Sequence, residues 1–231
     1  MSTPRMIQAI GAAVLMGAAS MALALSLADL SNQDASSGVK AALEKGATAA
    51  VAKLGVENGF LHNDKVRIGL PGMVEKAMPI LRMTGQGKQI DALQTSMNHA
   101  AESAVALAKP MLLDAVKTMT VSDAKNILTG GDTSVTDFFR QRTATGLSAQ
   151  FLPVVKKITD RSNLSAQYNS LMGMASKSGL VPQDEATVEN YVTKRALDGL
   201  YTIIAEEEKA IRKDPIGTGS AILGKVFGVL K

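Results

Sequence analysis

The chain contains no cysteine and no tryptophan, carries only two histidines, and draws just 3% of its 231 residues from the aromatic types. Without thiols it forms no disulfide, offers no cysteine nucleophile and has no cysteine to be lipidated at a processed N-terminus. In an exporting compartment it would have to be held by its core alone. The histidines, His62 near Asp64 and His99 beside Asn98, belong to no HExxH pattern, so a zinc site would need carboxylates from distant segments. No metal and no cofactor is expected. Few aromatics and abundant Ala, Leu, Val, Gly and Met favour close-packed helices over a sandwich. A surplus of one charge is missing as well. The formal net charge is +4 with both signs interspersed, and no basic stripe points to nucleic acid.

What the chain does have begins at its N-terminus. Met1 to Arg5 is short and basic, Met6 to Met21 is apolar and Ala-rich, and Ala22-Leu23-Ala24 places small residues at the two positions that direct cleavage. This is the pattern of a secretory signal peptide over residues 1–24, cut before Leu25, and it predicts a periplasmic protein. The alternative is an inner-membrane anchor, because Met6 to Leu25 approaches the ~20 residues needed to cross a bilayer, although Gln8 and Ser20 weaken that span. Removing residues 1–24 loses Arg5 as the only charge and takes the net charge from +4 to +3. Residues 25–231 then read as a single all-α domain, long enough to bury one helical core.

That multi-helix domain is predicted to be organised around Val188 to Arg212, a central helix in the C-terminal half. Val188, Val192, Ala196, Leu200, Ile203 and Ile211 recur at helical spacing on one face, and Leu197, Tyr201 and Ile204 form a second stripe beside it. A helix that is apolar around more than half its circumference needs several neighbours to cover it. The polar line left over is Asp198, Thr202 and Glu206. Upstream, Ser31 opens a helix that runs to Leu54 and stops at Gly55, with Gly38, Ala42 and Gly46 as a small-residue ridge on which another backbone can pack closely. Phe60 to Leu70 has no helical pattern; Val66 to Leu70 alternates weakly but lacks a partner strand. Helical patterns follow from Pro71 to Met83, closed by Gly85, and from Ile90 to Leu107. Pro110 is expected to kink or restart the chain, and Pro153 to kink the helix running from Thr133 to about Asp160. Thr120 to Asp123 forms a capping box for a short helix ended by Gly130-Gly131. Asn163 or Ser165 caps the next helix, Asp184 or Thr187 the central one, and Thr218 to Leu230 is an amphipathic tail.

Catalytic patterns are thin. Ser37-Gly38-Val39-Lys40, Ser96-Met97-Asn98 and Lys177-Ser178-Gly179 fall in the order of the motifs of penicillin-recognising serine enzymes. That chemistry needs the third motif on a sheet edge facing a nucleophile at a helix start, and no sheet is predicted here. The twelve methionines are dispersed at helical spacing, as core filler would be. A Met- and Leu-lined cavity for an apolar ligand is the other reading. The sharpest polar feature is the far end of the central helix, where both apolar stripes run into Glu206, Glu207 and Glu208. Consecutive helical carboxylates diverge, so the expected pairs are exposed ones, Glu206 with Lys209 and Glu208 with Arg212, at about 0.2 to 0.5 kcal/mol each. An unpaired buried carboxylate is costly, which makes Arg140 and Arg142, beside Phe138 and Phe139, the predicted counter-charges from elsewhere in the chain. The candidate polar site is therefore Arg140, Arg142, Asp198, Glu206, Glu207 and Glu208.

Several stretches carry a resemblance: Leu30-Ser31-Asn32-Gln33-Asp34-Ala35, Val66-Arg67-Ile68 with Leu70-Pro71, Met119 to Leu128, Phe138-Phe139-Arg140, Phe151-Leu152-Pro153, and Ala196 to Arg212. Together they resemble a bacterial family known only as domain-of-unknown-function family 4197, over nearly all of the mature chain. The resemblance implies an exported helical protein and brings no activity, ligand or site residue with it. The lipid anchor that it allows needs a cysteine this chain lacks, which points to a soluble periplasmic form.

The reading that follows is a non-enzymatic cell-envelope protein that binds a partner, or a second copy of itself, through helix faces. The alternative is a carrier or sensor of an apolar, lipid-like ligand between helices. The expected partners are accordingly a homo-oligomer or an envelope protein, or that apolar ligand. Membrane contact is expected only through an uncleaved N-terminus or the C-terminal amphipathic helix. Export with processing predicts that the intact mass of the protein recovered from the envelope begins at Leu25; a mass retaining Met1 would identify the anchor instead.

Overall fold

A computed structural model describes residues 32–215, apart from 84, 132, 133, 162, 178, 180 and 181, together with 217, 222 and 226. The expected signal segment, the expected Ser31 cap and most of the expected amphipathic tail lie outside the described residues. The chain is all-helical, with no strand among the described residues. In order come α1 (Asn32–Leu54), α2 (Gly72–Met83), α3 (Gly87–Val105), α4 (Lys109–Lys117), α5 (Val121–Thr129), α6 (Ser134–Thr159), α7 (Asn163–Lys177), a 3-10 turn at Gln183–Glu185 and α8 (Val188–Lys213).

Local chemistry accounts for the boundaries. Gly85 and Gly179 follow α2 and α7 at positive φ, 83° and 72°, the left-handed conformation that ends a helix at least cost in glycine. Thr187, not Asp184, caps α8, its side chain accepting from the Asn190 amide. The two prolines behave differently from one another. No helix is kinked at Pro110: α3 ends at Val105 and Pro110 stands in the first turn of α4, where an amide proton would have no helical partner. Pro153 lies inside α6, which continues through it from Ser134 to Thr159. Both Pro153 and Ala149, whose carbonyl loses its partner there, are exposed, so water can serve that carbonyl.

Helix α8 is the hub, packed by α1, α3 and α6. Both of its apolar stripes are buried, from Val188 to Ile211 on one and Leu197, Tyr201 and Ile204 on the other. Tyr201 is fully buried with its hydroxyl 2.9 Å from that of Thr143 on α6. Met97 and Met172 are fully buried, filling the core as adaptable side chains do. The small-residue ridge of α1 is used within the fold. Gly38 leaves room for Val226 of the C-terminal tail, and a Cβ at Gly46 would lie 3.6 Å from that of Glu207 on α8.

The segment between α1 and α2 has no regular structure, yet Phe60, Val66, Ile68 and Leu70 within it are buried. Turns within the segment serve some of its backbone groups, among them the Phe60 carbonyl and the Val66 amide, and α3 serves others. Glu102 Oε1 accepts from the amides of Phe60 and Leu61 at 3.0 and 3.1 Å, while Oε2 lies 2.7 Å from His99 Nδ1. One turn earlier, Asn98 Oδ1 accepts from the Ile68 amide at 2.8 Å and Nδ2 donates to the Ile68 carbonyl at 2.9 Å. Gly199 lets the segment seat on α8, since a Cβ there would stand 2.6 Å from Phe60 Cε1.

The α5 capping box is complete: Thr120 Oγ1 accepts from the Asp123 amide at 3.1 Å and Asp123 Oδ2 from the Thr120 amide at 2.9 Å. The Thr120 amide holds the Asp123 carboxyl below its ordinary value against the opposing effect of burial, with help from the Thr120 hydroxyl and Arg142. A carboxyl depressed by folding stabilises fully above its unfolded value, and that stability is lost as pH falls through the folded one. Asp123→Ala is expected to cost roughly 1 kcal/mol at neutral pH. The gap from the wild type should shrink below about pH 4. Urea titrations at both pH values check this, and an unchanged gap would refute the linkage.

Candidate functional site

The polar line of α8 faces the irregular segment. Between Lys65–Gly69 and α8 lies a cleft of about 270 Å³, lined by Lys65, Arg67, Gly69, Tyr191, Arg195, Asp198 and Thr202, with Val66, Ile68 and Gly199 forming the less polar part of its wall. Each side of the cleft is fixed. The Tyr191 hydroxyl donates to the Gly69 carbonyl at 3.1 Å, and burial pushes that phenol above its ordinary pKa, keeping it a neutral donor. The Arg195 guanidinium lies over the Tyr191 ring, 5.1 Å from its centre. Thr202 turns its hydroxyl back onto the Asp198 carbonyl at 2.8 Å.

Three cations and one carboxylate line the cleft. Asp198 is engaged by Arg140 at 3.2 Å, and Arg140 also lies over the Tyr201 ring at 4.9 Å. Lys65 pairs with Glu206 across the end of the cleft. Arg67 and Arg195 have no carboxylate within ion-pairing distance among the described residues, and both are exposed.

The residues singled out from sequence are thus only partly brought together. Arg140 and Asp198 meet. Arg142 turns away to Asp123 at 3.0 Å and lies over the Phe138 ring at 5.8 Å, so it guards the α5 cap. Neither arginine reaches Glu207 or Glu208, because α6 brings Arg140 level with Asp198 and Tyr201, about two turns before those carboxylates. Glu206 pairs with Lys65 across the fold. Glu208 does pair with Arg212, at 2.8 Å, but the pair is not on the surface: the side chains are 5% and 18% exposed. Arg212 also donates to the Ile127 carbonyl at 2.9 Å and to Ser134 Oγ at 3.2 Å, which fastens α8 to the α5–α6 junction. Glu207 lies against Gly46. The order of serine-enzyme motifs has no counterpart in the geometry, since Lys40 donates to the Lys117 carbonyl and Asn98 is spent on the loop.

Lys65, Arg67, Tyr191 and Arg195 were missed by pattern reading. The signal for Arg67 is that it stands between buried Val66 and Ile68, so alternation puts it on the opposite, open side. For Tyr191 and Arg195 it is that they extend the Asp198, Thr202, Glu206 line backwards at the same helical spacing.

Fold and cleft together define an all-helical domain whose polar surface site is built on its central helix. The chain belongs to a family described as a protein of unknown function (DUF4197), whose profile matches residues 29–228. No curated protein and no solved structure matches it. Among the described residues no helix is long and apolar enough to cross a membrane.

The loop clamp and the glutamate end make opposite predictions. Glu102→Ala leaves the Phe60 and Leu61 amides without their acceptor and should cost about 2 kcal/mol or more, whereas Glu207→Gln should stay within about 0.5 kcal/mol. Chemical unfolding of the two variants side by side decides it, and equal losses would contradict the assignment of roles.

Proposed function

We propose that this protein is an exported, non-enzymatic cell-envelope protein that acts by binding, and that it uses the cleft between Lys65–Gly69 and α8 to hold an anionic group. The N-terminal signal pattern supports export. One observation carries the binding site: Arg67 and Arg195 line the same cleft, and among the described residues neither has a carboxylate within ion-pairing distance, Glu185 and Asp198 acting on Arg195 only from farther off. Arginine pairs left open in this way favour carboxylate or phosphate groups, which match the guanidinium fork. The rest of the site keeps its shape without a ligand, because Asn98, Glu102 and Tyr191 hold the loop.

The second reading, carriage of an apolar ligand, draws support from a different place. An open groove of about 620 Å³ between α6 and α8 is lined mainly by apolar surface, including Ala144, Leu152 and Leu197. Its size is that of small-molecule sites, and its lining includes no methionine; a smaller apolar void of about 10 Å³ lies between α1, α6 and α8, beside Leu43, Val135 and Ile204.

Native mass spectrometry of the mature protein isolated from the envelope, beside an Arg67→Ala/Arg195→Ala double variant, separates these readings. An anionic adduct or acidic partner lost in the double variant is the expected result. A lipid retained by both forms would favour the groove, and a bare monomer in both would reject the cleft.

A further inference from the structure

We infer that the group recognised in the cleft is a phosphomonoester, a conclusion that rests on the anion-binding reading above. Charge makes the first part of the case. The lining carries Lys65, Arg67 and Arg195 against the single carboxylate of Asp198, which Arg140 already engages. The surplus is two positive charges. A phosphomonoester carries about −1.5 to −2 at neutral pH, whereas a carboxylate or a phosphodiester carries −1.

Donor geometry makes the second. Two bidentate guanidinium forks would use all of the roughly four lone-pair sites of a carboxylate, whereas the three terminal oxygens of a phosphomonoester accept both forks and still have sites left for a third cation. Lys65 adds a third cation at little cost. Its pair with Glu206 is exposed, at 65% and 32%, and such pairs contribute little to stability, so the ammonium is free to turn to a bound phosphate.

Shape makes the third. At about 270 Å³ the cleft falls below the usual range of sites that engulf a ligand. It suits a terminal group gripped at one end while the remainder of the molecule projects into solvent. Arg67 is carried on a segment whose neighbour Ile68 is held at both amide and carbonyl by Asn98, so the grip does not depend on ordering a loose loop.

Terminal phosphate reaches such a cleft from a soluble ester or from a lipid headgroup, and titration distinguishes them. Calorimetry of the full mature protein uses inorganic phosphate, phenyl phosphate, dimethyl phosphate and benzoate. Flotation uses phosphatidylcholine vesicles containing either phosphatidic acid or phosphatidylglycerol. The expected result is binding of phosphate and phenyl phosphate at pH 7.5, weakened tenfold or more in Arg67→Ala and in Arg195→Ala, and unchanged in Lys88→Ala, an exposed α3 lysine that does not line the cleft. Arg195→Lys, which keeps a cation over Tyr191 but loses the fork, should fall between. Affinity should also drop at pH 5, where the monoester becomes a monoanion. Binding to phosphatidic acid vesicles alone, lost in the same variants, would support the same group with a lipid as its source. Benzoate bound through Arg67 and Arg195 with phosphate excluded would overturn the phosphomonoester and leave the anion site standing. If no anion binds and the double variant matches the wild type in native mass spectrometry, both conclusions fall.

Discussion

A stretch of chain that enters the interior without a helix or a sheet brings bare amides and carbonyls with it, and the fold stands or falls on finding them partners. Here turns within the segment and the Tyr191 hydroxyl provide some, and α3 provides the rest of those seen through Asn98 and Glu102, one turn apart on the same face. The arrangement is economical because each side chain serves two polar groups. Glu102 accepts two successive amides, and Asn98 closes on both polar groups of Ile68. The carboxylate is buried, which would be costly for an unpaired charge, yet amide hydrogen bonds and His99 surround it. Everything on the outer side of the segment, Arg67 included, inherits its position from that clamp.

The other wall of the cleft is α8, and its polarity follows from how thoroughly the rest of the helix is covered. With α1, α3 and α6 claiming most of its circumference, one strip remains for Tyr191, Arg195, Asp198, Thr202 and Glu206. Tyr191 shows how sharp the boundary is, since its ring is buried while its hydroxyl reaches the Gly69 carbonyl. At the far end, the Glu208–Arg212 pair is buried and extends to Ile127 and Ser134, so it works as a joint between helices. Buried pairs of this kind add less to stability than their contacts imply, but they tolerate the loss of either partner poorly.

Much of this was legible in the residues. The two stripes of α8, the ridge of α1, the cap at Thr120 and the break near Pro110 are all short-range patterns, in which neighbours in sequence are neighbours in space. Which charges pair across the fold is not of that kind. Arg140 and Glu208 were both reasonable members of a polar site, but the rise of α6 against α8 decides that Arg140 meets Asp198. Lys65 and Glu206 are far apart in sequence, and no local rule joins them. Asn98 looked like one more polar residue on a helix; its importance comes from the irregular segment that lies against it, and that segment was visible only as an absence of pattern.

The notch at Gly38, filled by Val226, sets an order in time as well as in space. Helix α1 is made first, but the elements that cover it, α4, α5, α8 and the tail, are made later. At about 5–20 residues per second the ribosome needs on the order of ten to thirty seconds to travel from the end of α1 to Val226. Until α4 and α5 emerge the face of α1 that they cover has no lasting partner, and the Gly38 notch waits longer still; contacts this distant in sequence are slow to form even once the chain is whole. Val226 is thus made long after the notch that receives it, and Gly38 marks a place on α1 that stays open until the tail arrives.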